Sequence, residues 1–286
     1  GLVAAFGLSG GTNAFDALDQ TDCILLVGAN PTEAHPVVGA RLKRLVRQGA
    51  RLVVIDPRRT ELAGVADVHL ANLPGSNVAV FHGLAHLLVT AGYVDETFLA
   101  DRATGLPELR RTIDDYDPDR VSRIAGVPAE MLRLAAELYG SAARPAIVYG
   151  LGVTEHAHGT DGVRALANLA ILKGAVGNDY GCGILPLRGQ NNVQGASDMG
   201  ALPDLLPGYQ RVADGDVRHR VAAVWGVEPP TYPGLRIPDM FDAAIDGRVR
   251  ALYVMGEDIA QTDPDSTHVR AALAACNLVV VQEIFL

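Results

Sequence analysis

The chain has 286 residues, 49% of them hydrophobic and 20% charged, and a formal net charge of −9. That length suits one large or two medium domains, since single cores seldom outgrow roughly 250–300 residues. The apolar share excludes a wholly disordered chain, and the acidic balance excludes an electrostatic nucleic-acid binder, which needs clustered cations.

Nearly all the positive charge is arginine, with Lys43 and Lys173 as the lysines. Arginine supplies rigid planar donors suited to phosphate or carboxylate. Cys23, Cys182 and Cys276 are scattered without CxxC or zinc spacing, which predicts reduced thiols in a reducing compartment. No apolar run approaches the ~18 residues of a membrane span, so direct membrane insertion is not expected. The chain opens on Gly1 rather than methionine and closes on an apolar run, so it reads as an internal fragment.

"DCILLVGAN" (22–30) is a short apolar run closed by Gly and Asn, and reads as a buried parallel strand. Beyond Pro36, Val37, Val38, Leu42, Leu45 and Val46 recur at helical spacing up to a stop at Gly49. "RLVVIDPRR" (51–59) is a second β-branched run, completing a βαβ unit. Residues 77–90 and 128–139 are apolar-periodic and predict helices. "PAIVYGLG" (145–152) predicts a third strand and 162–173 a helix through Val163, Leu166, Leu169 and Ile171. From about 179 to 232 the pattern is irregular, and it includes the amide-rich stretch "LRGQNNVQGASDMGALPDLLPGYQ" (187–210). "RALYVMGED" (250–258), a helix over 266–275 and "NLVVVQEIF" (277–285) close the chain. Such alternation predicts an α/β fold of two Rossmann-like domains, parallel sheets covered by helices, with the second domain truncated. The boundary falls at the amide-rich stretch, giving domains over 1–187 and 188–286.

Each predicted strand ends on polar chemistry. The first ends in Gly28 and Asn30 with Glu33 beyond, the second in Asp56 and Arg58, the third in Gly152 and Thr154. The fourth ends in Gly256, Glu257 and Asp258, the fifth in Gln282 and Glu283. Ligands of open α/β sheets bind beyond the carboxyl ends of strands, and Asp56 stands where a ribose-binding acid belongs. No GxGxxG or GxxxxGK[ST] occurs, so ordinary NAD and ATP sites are disfavoured. Gly75, Ser76 and Asn77 precede a helix, where they serve either an anion or simple capping. His156 and His158 read as a solvated turn, His82 and His86 as packing or surface residues, and "GLSGGTN" (7–13) as a flexible loop.

The amide-rich stretch, with "LVGANPTEAHPV", "IDPRRTELAGVADVHL", "GLGVTEH", "MGEDIAQTD" and "VVVQEIF" in that order, resembles molybdenum- or tungsten-dependent formate dehydrogenase alpha subunits. These belong to the bis-molybdopterin guanine dinucleotide oxidoreductases. The resemblance covers essentially the whole chain, and RGQNNVQG is its most specific part. It implies oxidation of formate to CO2, with Arg188 beside the metal orienting formate and Gln190 touching the pterin. It further implies that the strand-end residues named above, together with Gly75 and Asn77, cradle two dinucleotides. The metal-ligating cysteine or selenocysteine, its histidine and a 4Fe-4S cluster would lie upstream of Gly1, so no metal ligand is assigned here. Glu155 stands where the family often has glutamine. Electrons would pass to iron–sulfur or flavin subunits, and a cytoplasmic location fits the soluble members. The alternatives are a nitrate reductase, a related subunit of a respiratory NADH dehydrogenase, or a non-catalytic guanine-nucleotide-binding domain.

Overall fold

β1 (Cys23–Val27), β2 (Arg51–Ile55), β3 (Val68–Leu70), β4 (Pro145–Tyr149) and β5 (Ile184–Pro186) pair in parallel in the order β3-β2-β1-β4-β5. The computed structural model describes residues 1–7, 10–177 and 181–284. Three sequence expectations therefore lie partly outside the described residues: the Gly-rich start at Leu8 and Ser9, the irregular segment at Asp179 and Tyr180, and the last strand at Phe285. β1 is central, with Cys23 level with Arg51 on one side and Pro145 on the other.

Every residue of β1 and β4 is buried, which is why both read as unbroken apolar runs: a strand covered on both faces has no solvent side. Alternate residues serve opposite faces. Cys23, Leu25 and Val27 join a core with residues of the Asn77–Thr90, Ala129–Ser141 and Gly159–Leu172 helices. Ile24 and Leu26 join another with Leu42 and Leu45 of the Pro36–Arg47 helix. Helices on both faces of a parallel sheet are the predicted α/β layering.

Several elements escape the sequence pattern. β3 and β5 have three residues each, too few to show a period. The helices Glu96–Arg102 and Pro118–Ala125 are charge-rich, but Asp95 and Asp117 cap them by accepting backbone N–H bonds. The segment expected to be irregular over 179–232 holds the helices Val193–Asp198 and Gly215–Trp225, plus a two-residue hairpin, β6 (Leu205–Leu206) and β7 (Gln210–Arg211). Asp214 starts the longer helix by accepting from the N–H groups of Asp216 and Val217, and Gly226 ends it in the left-handed region. A small apolar cluster of Val217, Leu206 and Val212 holds it down.

Two compact units emerge, Gly1–Asn191 and Asn192–Leu286. The second contains β8 (Ala251–Met255) and β9 (Leu278–Gln282), a parallel pair. Its helices Ile237–Ile245 and Ser266–Ala275 meet around Phe241, Ala244, Val269 and Ala272. Among the described residues no helix is long and apolar enough to cross a membrane.

The cysteines differ in environment. Burial, reinforced by the charges of Asp22 and Asp67, pushes the Cys23 thiol up to about 12, and burial also raises Cys182. The thiolate is the reactive form, so both should resist alkylation in the native protein. Cys276 is half-buried. Peptide mapping after mild iodoacetamide treatment should find Cys276 labelled first; equal labelling of Cys23 would contradict this burial.

Candidate cofactor site at the switch point of the sheet

β2 and β3 lie to one side of β1, β4 and β5 to the other. Connections therefore leave the carboxyl ends of β1 and β4 in opposite directions, which opens a crevice between them. A cavity of about 370 Å³ occupies that place. Gly28, Asn30 and Glu33 reach it from β1, Asp56 and Arg58 from β2, Asn77 from its helix, Gly152 from β4, and Arg188 from beyond β5.

The backbones touch where β1 and β4 end. Gly28 has φ +53°, and a Cβ there would lie 2.7 Å from the carbonyl carbon of Gly152. A Cβ on Gly150 would lie 2.7 Å from the Gly28 oxygen, and the Gly152 N–H donates to that oxygen at 3.0 Å. Only glycine permits both the dihedral and the approach. The result is a bare backbone cradle at the centre of the crevice.

Asp56 is 6% exposed, and its Oδ1 accepts from the Arg58 N–H at 2.8 Å. An ionised carboxylate has about four acceptor positions, so one bond leaves capacity for hydroxyl donors. At the exit of β3, Asn72 Nδ2 donates to Ser76 Oγ and to Asn77 Oδ1, both at 3.2 Å. Asn77 Nδ2 donates in turn to the Gly152 carbonyl at 3.0 Å. This chain of partners fixes both amide orientations and ties the β3 exit to the glycine cradle. It leaves Asn72 Oδ1 buried without a partner among the described residues, an arrangement that native proteins keep rare.

Three imidazoles fasten this rim. His35 donates to the Arg188 carbonyl at 2.5 Å, His69 to the Asp56 carbonyl at 2.8 Å, and His156 to the Gly152 carbonyl at 2.9 Å, each through Nε2. A carbonyl only accepts, so each ring carries its proton on Nε2. His35, Asn72 and His156 all border the cavity. Sequence reasoning passed over the first two and set His156 aside as a turn. Their partners lie 153, 5 and 4 residues away, and nothing local marks the longest link. Burial pushes the Tyr149 hydroxyl up to about 12, and the neighbouring Arg188 charge opposes that rise.

The remaining sequence candidates fall elsewhere. Gly75 borders a separate cavity of about 550 Å³ beside His82. Thr154 ends the short Leu151–Thr154 helix, and both it and Gln190 are exposed and outside the switch-point cavity. In the second unit Glu257, Asp258 and Glu283 line a cavity of about 490 Å³ at the ends of β8 and β9. Gly256 and Gln282 lie outside its lining, where the Gly256 N–H donates to the Gln282 carbonyl at 2.9 Å. His82 packs edge-on to Tyr116 with ring centroids 4.8 Å apart, and burial lowers its pKa, consistent with a packing role. Among the described residues no three His, Cys, Asp or Glu side chains gather as a metal site.

Residues 7–286 match the family described as molybdopterin oxidoreductase. The chain belongs to that family. Over its whole length it is 42% identical to the F420-dependent formate dehydrogenase subunit alpha of Methanocaldococcus jannaschii and to formate dehydrogenase H of Escherichia coli. It covers 42% and 40% of those proteins, so it spans about two fifths of the relatives it matches. The solved acetylene hydratase from Pelobacter acetylenicus superposes with a TM-score of 0.71 at 20% identity, covering 92% of this chain and 39% of that one, and shows the shared fold.

A molybdopterin cofactor is what family membership implies, and the switch-point residues suit one. The glycine cradle presents bare backbone on which a phosphate group can rest closely, and the buried Asp56 carboxylate offers acceptors to hydroxyls. The described residues contain donors and acceptors for the organic part of such a group and no cluster for the metal.

Proposed function

We propose that this chain is the central part of the catalytic subunit of a formate dehydrogenase, which oxidises formate to CO2 at a bis-molybdopterin guanine dinucleotide carrying molybdenum or tungsten. The observation that carries the reading is Arg188, which borders the same cavity as the glycine cradle and Asp56. A guanidinium in that enclosure binds a carboxylate through two parallel charge-assisted hydrogen bonds and so fixes which way its C–H bond points. Whole-chain similarity to proteins named formate dehydrogenase supports the choice of formate.

In this reading Gly28, Gly152 and Asn77 hold one diphosphate and Asp56 its ribose hydroxyls. Arg58, Asn30 and Glu33 complete that half of the site. Gly75, Thr154 and Gln190 belong to the same reading as outlying contacts. Gly256, Glu257, Asp258, Gln282 and Glu283 serve the second dinucleotide. The bound cofactor would supply the two-electron redox chemistry, and in the whole protein a 4Fe-4S cluster would pass the electrons on to iron–sulfur or flavin subunits. The buried, unbridged Cys23 and Cys182 accord with a cytoplasmic setting.

The test uses the full-length protein: formate-dependent dye reduction, metal content, and guanine nucleotide released by acid. Activity on formate with molybdenum or tungsten and released GMP is expected; turnover of nitrate but not formate would overturn the substrate assignment. Asp56→Ala should weaken cofactor retention about 10–100-fold, the usual worth of a hydrogen bond to a charged group. Unchanged guanine content in that variant would reduce Asp56 to a structural residue.

A further inference from the structure

Arg188 can act on a substrate only if its peptide is held still, since misplacement by about 1 Å is enough to cost ~10²-fold in rate. Its segment leaves β5 with little regular structure, as the next element after β5 is the Val193–Asp198 helix. One anchor is clear: the Leu187 N–H donates to the Tyr149 carbonyl at 2.7 Å, tying the residue before Arg188 to the end of β4. The other is His35, whose Nε2–H meets the Arg188 carbonyl at 2.5 Å across 153 residues of chain.

We infer that His35 is a positioning residue for Arg188, an assignment that rests on the formate-binding role given to Arg188 above. The imidazole is mounted rigidly enough for this. His35 caps the 12-residue Pro36–Arg47 helix. Its own N–H donates to Pro31 O at 3.1 Å, and its carbonyl accepts from the Gly39 N–H at 2.9 Å. A Cβ on Gly39 would lie 2.8 Å from Pro31 O, so the Pro31–Ala34 turn presses directly onto that helix. The ring therefore inherits the orientation of the helix packed under β1. It transmits that orientation to the Arg188 peptide, at the cavity that both residues border.

The sequence logic is equally economical. In "NPTEAHPVVGA" Pro31 and Pro36 each start a helix, and His35 is the hinge residue between them, at φ −140° and ψ 64°. A glutamine at 35 could place its side-chain N–H near the position of Nε2. A phenylalanine would keep the ring shape and lose the donor.

The experiment compares His35→Gln, His35→Phe and Arg188→Ala in the full-length enzyme. Metal content, kcat and KM for formate are measured, and hydrogen–deuterium exchange is followed across 187–189 in the cofactor-free protein. His35→Phe should raise KM for formate about tenfold, the worth of one ordinary hydrogen bond, with metal content unchanged. It should also speed exchange at 187–189 while exchange in the Pro36–Arg47 helix stays as in the wild type. His35→Gln should restore both readouts to within a small factor. Wild-type KM and wild-type exchange in His35→Phe would overturn the inference while Arg188→Ala still impaired turnover. Loss of exchange protection throughout the Pro36–Arg47 helix would overturn it in favour of a general folding role. If Arg188→Ala itself left KM and kcat intact, the reading beneath the inference would fail and the inference with it.

Discussion

Gly28→Val is expected to strip the protein of guanine nucleotide and to destabilise the first unit by about 3 kcal/mol, combining a strained left-handed dihedral with an overpacked contact. The new Cβ would sit 2.7 Å from the Gly152 carbonyl carbon and 2.9 Å from its Cα. Backbone cannot swing aside as a side chain does, so the ends of β1 and β4 must separate. Those ends form the floor of the cavity, and the proposed diphosphate site would go with them. Gly64→Ala provides the control, because nothing lies within 4 Å of its added Cβ. Urea unfolding followed by circular dichroism, with nucleotide released by acid, reads both effects. A Gly28→Val protein that unfolded at the wild-type urea concentration and kept its nucleotide would contradict the cradle.

Arg188→Ala carries the second large effect. Removing a preorganised cation from a site of developing charge typically lowers turnover about 10²–10³-fold. Formate oxidation should fall by that order, with metal and guanine content near wild type, because the cradle and Asp56 are untouched. Arg188→Lys should recover little, since an ammonium is a point charge without the planar fork that fits a carboxylate. Near-normal formate turnover in Arg188→Ala would remove the substrate role.

How far the fold was legible follows from where burial is two-sided. β1, β2 and β4 announced themselves because parallel strands between two helix layers are continuously apolar. β3 and β5 share that environment but are three residues long, below the length at which any period can be read. The helices around 96–125 and the Gly215–Trp225 helix hid behind charged residues. Their aspartate caps at Asp95, Asp117 and Asp214 were the signal that could have found them. Strand-end residues gave the switch-point site because topology brings carboxyl ends together whatever lies between. Asn72 stands at such an end, but of a strand too short to read, and His35 could not be found that way. His35 owes its place to a hydrogen-bond partner set by the folded geometry, the Arg188 carbonyl 153 residues further along the chain.

The strand order also governs when this unit can form during synthesis. β1 takes β2 as a neighbour after a short crossover, but its other neighbour, β4, is 122 residues away, where Asp22 also receives the Arg144 N–H. At ~5–20 residues per second, β1 leaves the ribosome roughly 6–24 s before the strand that covers its second edge. Through that interval Cys23–Val27 presents an unpaired, fully apolar edge, the kind of surface that pairs with other chains. Heterologous production is therefore expected to respond to anything that lengthens the wait. Slow codons between Leu70 and Pro145 should raise the insoluble fraction, and slow codons after Pro186 should leave it unchanged.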